Sequence, residues 1–146
     1  MNIRSLLNAF GIVNYAPIFQ VYTDGSQKGR WGSWAFVVLR DAVVVKECSG
    51  RIRKTNSHRM EFQAAIEAIR SLPARSTATI HTDSRELIKA VLASDMQPRA
   101  NSDQIEILRI LLLQHNISWQ WIKAHSGKTH NERCNELCVL ARSISS

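Results

Sequence analysis

Three acidic residues lie where predicted secondary-structure elements begin or end. Asp24 follows the apolar segment 18–23, Asp83 follows the segment 78–82, and Glu61 opens a helical pattern. Because sites in open α/β sheets lie beyond the carboxyl ends of strands, we expect these carboxylates to converge. Clustered carboxylates repel one another, and a divalent cation relieves that repulsion. Mg²⁺ binds a few carboxylates together with substrate phosphate, so the pattern indicates metal-dependent chemistry at a phosphodiester.

Each of these acids also has an ordinary structural interpretation. Asp24 and Gly25 are typical turn residues after a strand. Glu61 would match the helix dipole in a first turn. Asp83 would be the N-cap of a helix that begins near Arg85. These interpretations stay open until the surrounding sequence is considered.

The elements that must position the acids follow from hydrophobic periodicity. Strands are predicted at 18–23, 34–39 and 42–48, with Arg40 and Asp41 as the hairpin connection. A helix follows, in which apolar residues recur every three or four positions until Pro73 ends it. Its apolar positions are Phe62, Ala65, Ile66, Ile69 and Leu72.

The second half of the chain alternates strands and helices. The pattern predicts a strand at 78–82, helices at 85–92 and 102–115, and a strand at 117–122. A final helix has an apolar stripe formed by Cys134, Leu137, Cys138, Ala141 and Ile144. The order βββαβααβα predicts an α/β fold with a mixed five-stranded sheet and helices on both faces.

Composition limits the class of protein. The 146 residues are 45% hydrophobic, which suits a single domain, here predicted at 17–146 after an N-terminal extension at 1–16. A net charge of +7 favours a polyanionic partner. The odd number of cysteines, three, argues against a disulfide framework and for the reducing cytoplasm. No apolar run is long enough to span a bilayer, so we expect no membrane association.

Four ordered segments carry a family resemblance. Residues 22–26 (YTDGS), 59–65 (RMEFQAA) and 82–84 (TDS) resemble, in order and spacing, three signature segments of type 1 ribonuclease H. Residues 121–127 (WIKAHSG) and 131–137 (NERCNEL) together resemble the fourth. Four ordered matches are far more specific than one. The resemblance covers about residues 17–142 and implies the ribonuclease H-like fold.

The resemblance implies an endonuclease that hydrolyses the RNA strand of RNA/DNA hybrids by two-metal-ion catalysis. The products would carry 5′-phosphate and 3′-hydroxyl ends. Mg²⁺ would be the cofactor, with Mn²⁺ able to substitute. By this match Asp24 bridges two metals, Glu61 and Asp83 complete one of them, and His125 in a loop helps to protonate or release the product. The partner would be the hybrid, bound by a monomer with no protein partner.

Asn135 departs from the family pattern, which has a fourth carboxylate at this position. An amide carbonyl can still bind Mg²⁺ or Mn²⁺ but brings no negative charge, so we expect a weakened site for the metal that activates water. Glu136 lies on the opposite helix face and is a poor substitute. We therefore predict an active enzyme that does relatively better with Mn²⁺. The alternative is a catalytically weakened module that only binds hybrids.

The resemblance also suggests how the hybrid is recognised. The 2′-hydroxyls that distinguish RNA lie in a shallow minor groove, and Gly25, Ser26 and Glu61 would lie near that strand. The segment 50–60 has several cations and no acid, which favours phosphate contacts. The family's paired asparagines are replaced by Ser57 and His58. The predicted nucleic-acid-binding residues are Gly25, Ser26, Arg53, Lys54, Asn56, Ser57, His58 and Arg59.

Two further alternatives remain. Another nuclease or a strand-transferase could use the same fold, because a fold does not fix chemistry. His130, Cys134 and Cys138 are spaced one helical turn apart and could align for Zn²⁺. Cysteines on an apolar stripe are more often small hydrophobic core residues. We also expect most of the four tryptophans to be core residues.

Overall fold

The structure is a computed structural model that describes residues 17–93, 100–125 and 127–144, so the predicted extension at 1–16 lies outside the described residues. Within these ranges, five strands and four helices follow the predicted order βββαβααβα. They are β1 (Ile18–Lys28), β2 (Trp31–Arg40), β3 (Val43–Arg53), α1 (Ser57–Ser71), β4 (Thr77–Thr82), α2 (Arg85–Leu92), α3 (Ser102–Leu112), β5 (Asn116–Trp121) and α4 (Thr129–Arg142). None of the described helices is long and apolar enough to cross a bilayer.

The strands form one mixed sheet in the order β3-β2-β1-β4-β5. Strands β1, β2 and β3 pair antiparallel, whereas β4 runs parallel to both β1 and β5. Parallel strands run toward the same edge of a sheet, so β4 and β5 end together, and β4 ends beside the middle of β1, with which it pairs as far as Tyr22. The predicted mixed five-stranded sheet is confirmed, and its topology brings the segment that follows β4 beside the part of β1 that holds Asp24.

Helices cover both faces of the sheet, as predicted. Along β2, Phe36 and Val38 point into the larger core, which packs against α1, α2 and α3. The alternate residues Val37 and Leu39 point into a smaller core with Cys134 of α4. This alternation follows from the two-residue period of a strand, and both sets must be apolar because both faces are covered.

Strand β1 runs past Asp24, so the prediction that it stops before a turn at Asp24-Gly25-Ser26 was wrong. Residues from 19 to 28 each pair with a residue of β2, and the chain turns only at Gly29 and Arg30. Gly29 has a φ of +60°, which a glycine adopts without strain. Cross-strand pairing therefore outweighs the local turn preference of the Asp-Gly pair.

The predicted hairpin between the second and third strands is confirmed, with its turn shifted by one residue. The turn residues are Asp41 and Ala42, whose φ angles are +51° and +62°. Two positive φ values are what a two-residue hairpin turn requires. Strand β3 then extends to Arg53, so the basic residues up to that point lie on an edge strand and not in a loop.

Helix α1 begins earlier than its apolar pattern indicated. Asn56 is its N-cap and accepts a hydrogen bond from the Arg59 backbone N–H, so Glu61 lies in the second turn. Helix α2 is capped by Ser84, which accepts from the Leu87 N–H. Both ordinary interpretations of Glu61 and Asp83 as helix-end residues are therefore wrong. Neither carboxylate is used to stabilise a helix terminus.

The later predictions need smaller corrections. Helix α3 ends at Leu112, three residues before His115, and α4 ends before Ile144, which is 60% exposed. The tryptophan prediction was also too simple, because none of the four is fully buried and Trp121 is 38% exposed. Trp34 and Trp119 pack against the larger core, whereas core packing does not account for Trp121 at the end of β5.

Candidate active site

Asp24, Glu61 and Asp83 converge beside the carboxyl end of β4, at a point where β1 continues along β2. One carboxylate oxygen from each lies within 4.8 Å of the others. Asp24 is held by β1, Glu61 by the second turn of α1, and Asp83 by the connection between β4 and α2. Three elements that are far apart in the sequence thus place three acids at one point.

Gly25 allows α1 to lie close enough to β1 for this convergence. A Cβ added at Gly25 would lie 2.3 Å from both the backbone nitrogen of Glu61 and the carbonyl carbon of Met60. No real Cβ tolerates such contacts with backbone, so a larger residue would push the helix away. Glycine at this position therefore has a structural role in holding Glu61 beside Asp24, whatever its contact with a ligand.

The acids raise one another's affinity for protons. Burial, followed by repulsion from Asp83, raises the pKa of Asp24 to about 7, although the Gly25 N–H, Glu61 and His125 act in the opposite direction. Burial and the charges of Asp24 and Asp83 raise the pKa of Glu61 well above its usual value. Without a counter-charge, this site holds protons at a pH where ordinary carboxylates have lost them.

A divalent cation fits these residues. Oxygen Oε2 of Glu61 is buried without a hydrogen-bond partner among the described residues. Oxygen ligands and negative charge are what Mg²⁺, Mn²⁺ and Ca²⁺ bind. A cation here would give the Glu61 oxygen a partner and offset the mutual repulsion of the carboxylates.

We expect metal-free protein to lose stability as pH rises from about 4 to about 7. Asp24 has a raised pKa of about 7 in the folded state, against an ordinary value near 4 in the unfolded chain. The unfolded chain therefore releases its proton first, and rising pH favours unfolding through that window. Thermal unfolding in a chelator should show this fall, and Asp24→Asn should flatten it. A wild-type slope equal to that of the variant would contradict the raised pKa.

Helix α4 brings Asn135 to the same face of the sheet as Asp24. The Cys134 thiol donates to the carbonyl of Tyr22 at 3.3 Å, and the Cys138 thiol lies 3.6 Å from the carbonyl of Asp24. Asn135 is half-buried on the helical turn between these two contacts. Asn135 therefore lies on the part of α4 that packs against residues 22–24 of β1.

His125 lies in the loop between β5 and α4, with a left-handed backbone at φ +52°. Its side chain is exposed, and its electrostatic interaction with Asp24 lowers the pKa of that carboxyl. His125 therefore interacts electrostatically with Asp24 while its side chain remains exposed to solvent.

A groove of about 610 Å³ opens beside the acids and is lined by Glu61 and Asp83. It is also lined by Arg85, Trp121 and Lys123, which the sequence analysis did not select. The sequence placed Trp121 within a predicted strand but did not show which strand lies beside it. Only the observed pairing of β4 with β5 shows that this end faces Asp83.

Apart from Gly25, which packs against the backbone of α1, the predicted hybrid-contacting residues divide into two groups. Arg53, Lys54, Ser57 and His58 are exposed. Three others have protein partners. The hydroxyl of Ser26 interacts with Arg142 and Ser33, the side chain of Asn56 caps α1, and Arg59 forms a two-pronged ion pair with Asp103. The first group is available for a ligand as it stands.

Two further cations extend the exposed group. Lys28 and Arg30 lie at the β1–β2 turn, and Arg30 accepts a backbone hydrogen bond from Lys54 at 2.9 Å. We call Lys28, Arg30, Arg53 and Lys54 the basic edge. The sequence analysis missed its first two members because they lie more than twenty positions from the others. The pairing of Trp31 with Arg53 brings them together.

The alternative zinc site finds no support. Cys134 and Cys138 are free, buried thiols in the smaller core. Burial raises the pKa of Cys138 to about 12 and raises that of Cys134 further. Zinc binds the thiolate, which such burial disfavours. Among the described residues, the group arranged to hold a metal is Asp24, Glu61 and Asp83.

Comparison with known proteins identifies the family of the chain. The RNase H family profile matches residues 17–143. Ribonuclease H of Caulobacter sp. (strain K31) is 33% identical over 138 residues, covering 85% of this chain and 89% of that protein. Ribonuclease H of Pelobacter propionicus is 36% identical over 135 residues, covering 84% and 83%.

Solved structures share the fold. LC9-RNase H1, described as a type 1 RNase H with the type 2 active-site motif, superposes with a TM-score of 0.74 at 22% identity, covering 88% of this chain and 74% of that chain. LC11-RNase H1, crystallised in complex with an RNA/DNA hybrid, gives 0.67 at 16% identity, covering 86% and 99%. Together with the family profile and the curated relatives, the sheet order and the acidic cluster lead to one conclusion: this chain belongs to the ribonuclease H family.

Proposed function

We propose that the protein is an endonuclease that hydrolyses the RNA strand of RNA/DNA hybrids, leaving 5′-phosphate and 3′-hydroxyl ends. The observation that carries the proposal is the convergence of Asp24, Glu61 and Asp83 within 4.8 Å in a chain of the ribonuclease H family. The relatives named above are ribonucleases H, and one structural neighbour was crystallised with an RNA/DNA hybrid.

Mg²⁺ is the proposed cofactor, with Mn²⁺ as a substitute. Asp24, Glu61 and Asp83 would hold one ion, and Asp24 with the carbonyl of Asn135 would hold a second. When bound, such ions activate the attacking water and stabilise the leaving oxygen of a phosphodiester. The hard oxygen donors of the site suit both metals.

The protein side chains have distinct proposed roles. Asp24 would serve both metal positions, and it is carried by β1, the central strand of the sheet. Asn135 orients a ligand without adding charge, so the second position is the weaker one. His125, exposed and electrically coupled to Asp24, supplies or removes a proton as the product leaves.

The proposed hybrid-binding surface joins the basic edge to the amino end of α1. Ser57 and His58 are exposed beside Glu61, and His58 also lines a second groove between α1, α2 and α3. We assign Ser57 and His58 to the DNA strand and Gly25 to the minor groove of the RNA strand. Ser26, Asn56 and Arg59 would join only after release from their present protein partners.

We expect Arg53→Ala and Lys54→Ala to weaken hybrid binding similarly for all sequences and to reduce its dependence on salt. Each exposed cation that neutralises one phosphate contributes a salt-dependence slope of about one. Binding titrations at several salt concentrations measure that slope. Arg40→Ala is a suitable control, because Arg40 is an exposed cation at the opposite end of β2. An unchanged slope in both test variants would remove the basic edge from the binding surface.

A second candidate is a binding module that no longer cleaves, and Asn135 is the observation that favours it. Competition among RNA/DNA, DNA/DNA and RNA/RNA duplexes tests the partner for both candidates. We expect the hybrid to compete best, because its groove shape and its mixed strands match a site that reads 2′-hydroxyls on one strand. We further propose that the protein acts as a monomer in the cytoplasm, in keeping with its three free cysteines.

A further inference from the structure

Trp121 is the last residue of β5 and lines the groove beside Asp83. We propose that Trp121 is a positioning residue, whose indole N–H fixes the main chain of Asp83 and thereby holds its carboxylate in place for metal binding. The inference rests on the proposed function, because Asp83 is a ligand of the proposed metal site.

Asp83 lies just outside the regular structure on both sides. The last pair between β4 and β5 joins Thr82 to Trp121, and α2 begins at Arg85. The neighbouring residues are fixed, since the Ile122 N–H donates to the Thr82 carbonyl at 2.9 Å and the Ser84 N–H donates to the Thr82 hydroxyl at 3.0 Å. The carbonyl of Asp83 accepts from the indole Nε1–H of Trp121 at 3.2 Å.

The indole is itself held in place by Arg85. The guanidinium carbon of Arg85 lies 4.2 Å from the centroid of the Trp121 ring, a cation–π contact. Arg85 begins α2, two residues after Asp83, so the indole contacts both the carbonyl of the acid and the first residue of the following helix. The contact thus ties β5, Asp83 and α2 into one unit.

Core packing does not explain this tryptophan. Trp119 lies two residues earlier on the same strand face and packs against the larger core, whereas Trp121 is 38% exposed. A phenylalanine at 121 would retain the ring and its contact with Arg85 but would lose the N–H. The special feature of tryptophan at this position is therefore the hydrogen bond to Asp83.

Loosening Asp83 should affect metal binding directly. The carboxylate oxygens of Asp24, Glu61 and Asp83 lie within 4.8 Å of one another, and an unrestrained Asp83 segment would no longer hold its carboxylate in that position before metal binds. Contacts that orient a metal ligand typically change metal affinity by about ten- to a hundredfold. The contact here is to the main chain, so we expect Trp121→Phe to weaken Mn²⁺ binding by about tenfold, at the lower end of that range.

The test is titration of the intact protein with Mn²⁺ alone, without hybrid, following free Mn²⁺ by electron paramagnetic resonance. Trp119→Phe is the matched control, with the same substitution on the same strand face. We expect Trp119→Phe to lower thermal stability and leave Mn²⁺ affinity unchanged, and Trp121→Phe to do the reverse. Arg85→Ala, which frees the ring without removing the N–H, should weaken Mn²⁺ binding in the same direction by a smaller factor.

Wild-type affinity in Trp121→Phe would overturn the positioning role. An equal loss in Trp119→Phe would also overturn it, because the effect would then come from the strand as a whole. If Asp24→Asn left the Mn²⁺ affinity of the protein unchanged, the metal would lie elsewhere. That result would contradict both the proposed metal site and this inference. Loss in Trp121→Phe alone, with Asp24-dependent binding in the natural chain, supports both.

Discussion

Asp24→Asn should nearly abolish cleavage of the RNA strand while making the metal-free protein more stable. Asp24 is the carboxylate shared by both proposed metal positions, so its loss should reduce the rate by about a thousandfold or more, the scale of losing a major electrostatic contributor to a transition state. The amide is nearly the same shape as the carboxylate. Cleavage assays with a labelled hybrid measure the loss.

The stability gain has a separate cause. Asp24 is buried against Glu61 and Asp83, and its pKa of about 7 shows that ionisation is unfavourable there without metal. Removing one charge relieves that repulsion. Thermal unfolding at pH 7 to 8 in a chelator should show a higher Tm for Asp24→Asn than for the natural chain. Addition of Mg²⁺ should raise the Tm of the natural chain more than that of the variant.

Asp103→Asn is a control that removes a carboxylate outside the candidate active site. Asp103 forms a surface ion pair with Arg59 at 2.8 Å, and hydrogen bonding by that guanidinium lowers its pKa to about 2. Losing this carboxylate should lower stability slightly and leave cleavage close to the natural rate. If Asp24→Asn cleaved as well as Asp103→Asn, Asp24 could not be a metal ligand in the reaction.

Asn135→Asp has the second-largest expected effect, a gain of about tenfold or more in Mg²⁺-dependent cleavage, of the size expected for a restored charged interaction in the transition state. The new carboxylate would add charge to the weaker metal position. We expect the gain to be larger in Mg²⁺ than in Mn²⁺, because Mn²⁺ binds N and O ligands more tightly and depends less on the added charge. Rates in the two metals, compared at several metal concentrations, measure this difference.

Asn131→Asp is the matched control for that gain, because it places the same new charge one helical turn earlier on α4. Asn131 is 4% exposed, so its change should cost stability and give no gain in rate. Equal rates for Asn135→Asp and the natural chain in both metals would show that the side chain at 135 does not reach the metals.

The order of elements was predictable because each has a strong local pattern. The apolar positions of α1 recur at the helical period, and the hairpin between β2 and β3 has a two-residue turn. The end of β1 was not predictable from local sequence. The Asp-Gly pair favours a turn, and only pairing with β2 keeps residues 24–28 extended.

The sequence predicted the acidic residues of the site because they lie where predicted elements begin or end, but it did not predict the contacts that position them. Asp24 and Asp83 were selected because both follow apolar strands, and the parallel pairing of β1 with β4 brings those strands to one edge. The contact between Trp121 and Asp83 depends on the β4–β5 register, which no local pattern encodes. Likewise, the ion pair of Arg59 with Asp103 joins positions more than forty residues apart.

Cleavage of an RNA/DNA hybrid that carries a different label on each strand tests the proposed function most directly. The natural chain should cut the RNA strand in Mg²⁺ or Mn²⁺, leave the DNA strand intact, and fail to cut DNA/DNA and RNA/RNA duplexes. Absence of cleavage in both metals, with hybrid binding retained, would contradict the enzyme and leave a hybrid-binding module in its place.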